Sequence, residues 1–428
     1  MIGWRVSSAL YSISPARQFG TGYGVCSVMR GSAARMVFLE IQNRYQIRGG
    51  EDVARDAEVG MLRDRGHRVV EHVESSDAVA SLGLLRTSCR TIWSVSSYRR
   101  IRELIREEKP DVAIVHNFFP LVSPSVFHAC QREKVPVILV VHNYRLFCPA
   151  AILFRAGQVC ERCMGRWFAW PGVLLGCYRS SRIASLVVAT MVAVHRCLGT
   201  WRRVVMHYIA VSEFARRKCI EGGIHEGKVT VRPNFVSPDP GEGMGTGGFI
   251  FFAGRMPPEK GLRILVEAWR EAGRPAPLKI AGDGSEGTLL RQATLGETGI
   301  EWLGVLTPEQ TRDWMGKAAV LAVPSLWGET FGLVVAEAYA RGTPVLVSDM
   351  GALPELVEEG VTGFRVPAGD VGAWASALRR FFALSGTVRA GMRRAARRAF
   401  EERYQMDRNY ELLMGVVHKI LDDERGRV

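Results

Sequence analysis

Short runs of Val, Ile, Leu and Phe alternate along the chain with longer stretches whose apolar residues recur at helical spacing. A first series predicts strand Val37–Ile41 and helix Glu51–Arg65, strand Val69–Val73, helix Ser97–Glu108 and strand Val112–His116. Helix Ser125–Glu133 and strand Val137–Val141 complete it. A second series predicts strand Gly248–Gly254 with helix Leu262–Ala272, strand Leu278–Gly282 with helix Glu286–Ala293, and strand Val320–Pro324 with helix Thr330–Ala340. It ends on strand Pro344–Ser348. Strands that are apolar throughout, set between amphipathic helices, predict parallel sheets covered on both faces. The Gly- and Pro-rich run Pro238–Gly248 breaks regular structure and separates the series. The pattern therefore predicts an α/β chain of two doubly wound domains facing a cleft, 36–237 and 249–385, joined by a 238–248 linker. A helical, Arg-rich tail, 386–428, is expected to pack back toward the first domain. In such sheets ligands bind outside the carboxyl ends of the strands.

Residues 1–35 have neither period nor an apolar signal-peptide core. They read as a disordered extension or a mis-called upstream start, with Met36 opening the first strand. The longest apolar run, Ile183–Val194, is too short to cross a bilayer. These features place the chain in the reducing cytoplasm, where its nine cysteines are expected mostly as thiols or metal ligands.

Charge divides the chain unevenly. Residues 1–240 carry 33 Lys and Arg against 19 Asp and Glu, while 241–428 carry 23 against 24. Between Lys134 and Ser212 there is one acidic residue, Glu161. Such a patch is either a solvated surface or a footprint for phosphates, nucleic acid or an anionic membrane.

Candidate chemistry concentrates in the string Pro324-Ser-Leu-Trp-Gly-Glu-Thr-Phe-Gly-Leu-Val-Val-Ala-Glu-Ala-Tyr-Ala-Arg-Gly-Thr-Pro-Val345. Glu329 stands between a strand and a helix opening near Phe331 and Gly332, and Glu337 follows about two turns along. Two carboxylates suit a polyol, because each accepts several hydrogen bonds. A helix cap and a surface Glu would give the same two residues. Arg48-Gly49-Gly50-Glu51 precedes a helix, where side-chain-free backbone allows a phosphate to approach, or simply makes a turn. Gly282-Asp283-Gly284 opens a formal G-x-G-x-x-G, the dinucleotide fingerprint, but falls in the second series instead of opening a first βαβ unit. His142 ends a strand on the cleft side, and His116-Asn117 ends the preceding one.

The long string resembles the E-x7-E signature of retaining glycosyltransferases of the GT-B fold, the family 4 or group 1 type. The resemblance extends over 36–400 and implies two Rossmann-like domains, the first for acceptor and the second for a nucleotide-sugar donor. It implies that Glu329 meets the donor sugar and Glu337 the nucleotide ribose. Phe331 and Gly332 lie in the same donor-binding string. Phe251-Phe-Ala-Gly-Arg-Met-Pro-Pro-Glu-Lys-Gly-Leu262 resembles the family's basic loop, so Arg255 and Lys260 would stabilise the departing diphosphate. His142 would lie against the donor sugar. The same resemblance assigns Gly282, Asp283 and Gly284 to a donor-side loop in place of a nicotinamide site, and supports a ligand role for Gly49 and Gly50. There is no Asp-x-Asp to hold a metal on the diphosphate, so the reaction is expected to need no catalytic cofactor. UDP- or GDP-sugar is the expected donor. The acceptor is expected to be a saccharide or lipid-linked saccharide of bacterial surface polysaccharide or glycolipid.

Cys160-x2-Cys163 has knuckle spacing, and Cys148 and Cys177 would complete a four-thiolate zinc site within a 148–177 insertion; four free thiols are the alternative. Phe154–Val159 reads as a hairpin turning at Ala156-Gly157. The mixture of Arg with Trp167, Trp170, Leu174 and Ile183–Val194 reads either as an element on an anionic membrane or as a helix packed on the first sheet. Two rival functions are a same-fold sugar-nucleotide epimerase and a basic nucleic-acid-binding protein. The second lacks any recognised nucleic-acid-binding motif, and no nucleic-acid partner is expected.

Overall fold

The computed structural model describes residues 35–426. Residues 1–34 of the expected extension lie outside the described residues. Two six-stranded sheets, parallel throughout, form the frame. The first holds β1 (Val37–Arg44), β2 (Arg68–Ser75), β3 (Val112–Asn117), β4 (Val137–Val141), β7 (His207–Ala210) and β8 (Val229–Val231), in the order β2-β1-β3-β4-β7-β8. A small hairpin, β5 (Phe154–Arg155) and β6 (Gln158–Val159), interrupts it after β4. The second sheet holds β9 (Ile250–Ala253), β10 (Leu278–Ala281), β11 (Ile300–Gly304), β12 (Val320–Val323), β13 (Val345–Ser348) and β14 (Gly363–Val366). Its order is β11-β10-β9-β12-β13-β14. Strand order reverses beside β1 in one sheet and beside β9 in the other, so each places a switch point where the loops after its central strands can hold a ligand.

Burial explains the composition of the strands. β3, β4, β12 and β13 have every residue buried, as required of a sheet with helices on both faces. The helix expected to start at Thr330 instead spans Leu333–Ala340, because Gly332 takes a left-handed φ of 99° and ends the loop there. Glu337 is therefore little more than one turn into the helix. Helix Leu84–Ile92, not expected from the pattern, packs on helix Arg182–Cys197. In the latter, Val188, Met191 and Val192 are buried while Ile183 is 62% exposed, so part of this run packs into the fold.

Residues 232–249 have no regular structure. Arg341 and Arg393 hold this crossing segment through the carbonyls of Pro240, Gly241 and Gly243. The tail forms helices Gly386–Arg403 and Met406–Arg425. The second reaches the first domain: Tyr410 Oη meets His67 Nε2 at 2.8 Å, Arg65 pairs with Asp407, and Asn409 donates to the Pro233 carbonyl. No helix among the described residues is long and apolar enough to cross a membrane.

Candidate active site

The second sheet builds one wall of the site from two loops stapled together. Residues Pro258–Lys260 form a single 3-10 turn closed by Gly261 at φ 69°. A Cβ on Gly261 would stand 2.0 Å from the Pro324 carbonyl oxygen, so only glycine allows this approach. The Leu326 amide donates to the Glu259 carbonyl at 2.8 Å across the same seam. The result brings Lys260 Nζ to 2.6 Å from Glu329 Oε1. The same oxygen accepts from Ser325 Oγ at 2.7 Å and Trp327 Nε1 at 3.1 Å. Glu329 is only 7% exposed, so three donors compensate for its loss of water. The ammonium also lies over the Trp327 ring, 5.5 Å from its centroid.

Other residues of this wall divide by role. Arg255 is exposed and has no ion pair or hydrogen bond among the described residues, which leaves its guanidinium free for an anion. Gly282 and Gly284 are used for loop packing: their added Cβ atoms would stand 1.9 Å from the Gly254 oxygen and 2.7 Å from Met256 backbone. That packing is zipped by Gly254 and Met256 amides donating to Ala281 and Asp283 carbonyls. Asp283 itself accepts from the Gly284 amide at 2.8 Å on the surface. Phe331 is 2% exposed and sets its ring edge-on to Tyr404, so it supports the loop from the core side. Glu337 is half-buried, and burial raises its carboxyl to about 7, countered only by the charge of Arg312.

The first sheet builds the facing wall from strand ends. His142 follows β4, and its Nε2 lies 3.0 Å from Nδ1 of His116 at the end of β3, with the rings stacked. His116 Nε2 lies 3.2 Å from both Glu58 and Glu40. Arg232 pairs with Glu58, and burial lowers the guanidinium to about 10. One hydrogen bond joins the two imidazoles, and the tautomers decide which nitrogen donates. When His116 Nε2 donates to Glu58 and Nδ1 carries no proton, His142 must donate from Nε2. Burial and the neighbouring ring hold His142 well below the ordinary histidine range.

Glu51 completes this wall. It opens helix Gly50–Asp64 and accepts from Asn117 Nδ2 at 2.9 Å and Asn143 Nδ2 at 3.2 Å. Burial and the neighbouring Asp52 raise its carboxyl to about 7. A Cβ at Gly49 or Gly50 would meet no atom of the chain within 4 Å, so the space beside this junction is open.

The walls touch. Thr330 Oγ1 donates to the His142 carbonyl at 3.0 Å, Tyr144 Oη to the Gly328 carbonyl at 2.9 Å, and Ser212 Oγ to the Thr330 carbonyl at 2.6 Å. Thus Lys260, Glu329 and the His142 strand end share one seam. Sequence reasoning missed Glu40, Glu51, Glu58 and Arg232. Glu40 had a signal: it is a lone charge inside an apolar strand and is fully buried. Glu40, Glu58 and His116 are also the one group among the described residues with three ligand-type atoms within 4.8 Å. Arg232 already supplies their counter-charge.

Two parallel α/β domains with loops converging from both carboxyl edges define the GT-B fold. Residues 248–383 match the family described as glycosyl transferases group 1, and residues 59–240 match glycosyltransferase family 4. The chain belongs to this group 1, family 4 type of GT-B glycosyltransferases. It is 33% identical over 222 residues to a phosphatidyl-myo-inositol mannosyltransferase of Mycobacterium leprae, covering 48% of this chain and 57% of that one. It is 35% identical over 193 residues to a D-inositol 3-phosphate glycosyltransferase of Saccharomonospora viridis, covering 41% and 44%. The chain thus matches about half the length of these relatives. A crystal structure of Anabaena HepE in complex with UDP-glucose superposes with a TM-score of 0.61 at 15% identity, over 92% of this chain and 100% of that one.

Proposed function

We propose that the protein transfers a sugar from a nucleotide-diphosphate sugar to an acceptor hydroxyl with retention and without a catalytic metal. The convergence of Lys260 on Glu329, beside the free Arg255, carries this reading. As the bond from the sugar to the diphosphate breaks, negative charge grows on the leaving oxygen. Fixed cations at Arg255 and Lys260 stabilise that charge more in the transition state than in the ground state. Glu329 holds Lys260 until a donor binds and then accepts from sugar hydroxyls. Glu337 meets the ribose. The new bond forms on the face the diphosphate leaves, and the acceptor proton passes to a leaving-phosphate oxygen. Asn117, Asn143 and Glu51 orient the acceptor. UDP- and GDP-sugars are the donors to test, and a solved neighbour's title names UDP-glucose.

The acceptor is a saccharide or lipid-linked saccharide of bacterial surface polysaccharide or glycolipid, and the enzyme works in the cytoplasm against an anionic membrane. Trp167, Trp170, Leu174 and Ile183 are each more than half exposed, and Arg162, Arg166, Arg179 and Arg182 are exposed among them. Apolar side chains interleaved with cations fit an acidic lipid surface. Replacing these four arginines is expected to release the protein from anionic vesicles while donor hydrolysis continues.

The main test incubates the full chain with UDP- and GDP-sugars and EDTA and measures nucleotide release. Release with one donor, and its loss in Arg255→Ala, is expected. No release with any donor, or strict dependence on Mg²⁺, overturns the reading.

A further inference from the structure

We infer that Cys148, Cys160, Cys163 and Cys177 bind one structural zinc ion that pins the loop following His142. Such a site would be independent of the donor chemistry. All four side chains, with Pro149 and Gly172, line one small cavity. None forms a disulfide; Cys148 and Cys163 are buried, and Cys160 and Cys177 are half-buried. Thiols from three separate stretches of chain are thus brought to one place.

The surrounding backbone has little regular structure of its own. From Cys148 to Ser181 the chain has only the two-residue strands β5 and β6 and the short helix Trp170–Leu174. Ala151, Leu153, Ala156, Arg179 and Ser180 all take positive φ within it. Metals are a common means of fixing a segment with so little regular structure of its own. The β5–β6 hairpin returns the chain so that Cys160 and Cys163 stand on a knuckle beside Cys148, and the Cys177 amide donates to the Gly172 carbonyl at 2.9 Å. Four thiolates with a Cys-x2-Cys pair are a tetrahedral zinc donor set.

The sulfurs surround the cavity without having closed on it, since no three of them fall within 4.8 Å of one another. Ligation would draw them inward, with Cys160 and Cys177 on the half-buried rim and Cys148 and Cys163 buried. The pinned loop matters to the site. Arg145, just before Cys148, lies over the rings of Phe119 and Tyr178, and Tyr178 follows Cys177. Closing the cluster would therefore fix this stack, and the Arg145 amide in turn donates to Asn143 Oδ1 at 3.0 Å. Glu161, inside the knuckle, pairs with Lys218 at 2.7 Å and ties it to helix Glu213–Glu221.

The test is elemental analysis of the full chain, purified on a histidine-free tag without chelator. About one zinc per chain is expected. Cys160→Ser with Cys163→Ser should lose it, while Cys89→Ser with Cys197→Ser, at exposed thiols outside the cluster, should keep it. Wild-type protein loaded with cobalt should show tetrahedral cobalt–thiolate absorption, which covers the case in which the double variant does not fold. Folded wild-type protein that is metal-free, with all four thiols open to titration or joined as disulfides by mass, overturns the proposal. So does zinc retained in a folded Cys160→Ser, Cys163→Ser variant.

Discussion

Glu329 in the second domain and Glu51 in the first both stand where a strand-end loop meets a helix at the carboxyl edge of a parallel sheet, but their partners differ in kind. Glu329 accepts from an ammonium, a hydroxyl and an indole on one oxygen. Glu51 accepts from two neutral amides, with Asp52 beside it, and is raised to about 7. The first arrangement gathers three donors on one carboxylate oxygen and parks a cation beside it. The second keeps a proton exchangeable near neutrality, because burial disfavours the anion and the nearest charge repels it. One edge is organised around fixed charge, which suits a diphosphate. The other is organised around proton position, which suits a hydroxyl acceptor.

The largest effect should come from breaking the fixed-charge side. Lys260→Met and Glu329→Gln should each lower transfer about 10²–10³-fold, the loss expected when one preorganised charge is removed. They touch the same interaction, so the double variant should lose far less than the product of the two. Steady-state kinetics on all four proteins tests this. Full multiplicativity would mean that the ion pair is not a functional unit, and the comparison would lose its first half.

The two edges also differ in how much of them is legible in the sequence. Glu329, Phe331, Gly332 and Glu337 lie in one contiguous string, and Lys260 sits in one short loop, so the resemblance to a family motif singles them out as candidates where spacing alone leaves a cap and surface charges. The other edge is assembled from Glu40, Glu51, Glu58, His116, His142 and Arg232, brought together by strand order, which local patterns do not encode. The frame was readable because buried parallel strands announce themselves as apolar runs. The start of helix Leu333–Ala340 was not, since Thr330 and Phe331 permit a helix and only the left-handed Gly332 excludes it. At Gly282 and Gly284, expected in a donor-side loop, the packing against Gly254 and Met256 by itself already demands glycine, which the spacing did not reveal.

A smaller effect is expected from the histidine pair. His116 stands between His142 at 3.0 Å and the buried Glu58 at 3.2 Å, so a proton given from its Nε2 to Glu58 would require His142 to donate from its own Nε2. His116→Phe keeps the stacked ring and removes the proton link, so kcat should fall about tenfold with little change in KM. The nitrogen shifts of labelled His142 should move to the other tautomer or to a mixture. An unchanged tautomer with normal kcat would reduce the pair to packing.

The smallest effect sharpens the proton-holding side through stability. In the folded chain Glu51 titrates near 7, against an ordinary value of 4.5. Between these values the native state keeps a proton that the unfolded chain releases, so stability falls as pH rises through that window and levels off above about 7. Glu337 is raised to about 7 as well and adds a slope of the same sign. Glu51→Gln should therefore remove part of the slope and leave the share of Glu337, and Glu51→Gln with Glu337→Gln should flatten it. Above the window the single variant should gain about 1 kcal/mol over wild type, a figure already reduced for the water that reaches a half-buried carboxyl. Urea denaturation of the three proteins across the window measures this. If Glu51→Gln leaves the slope intact, Glu51 is ionised and solvated in the native state. The two edges would then hold the same kind of carboxylate, and proton position could not be what separates them.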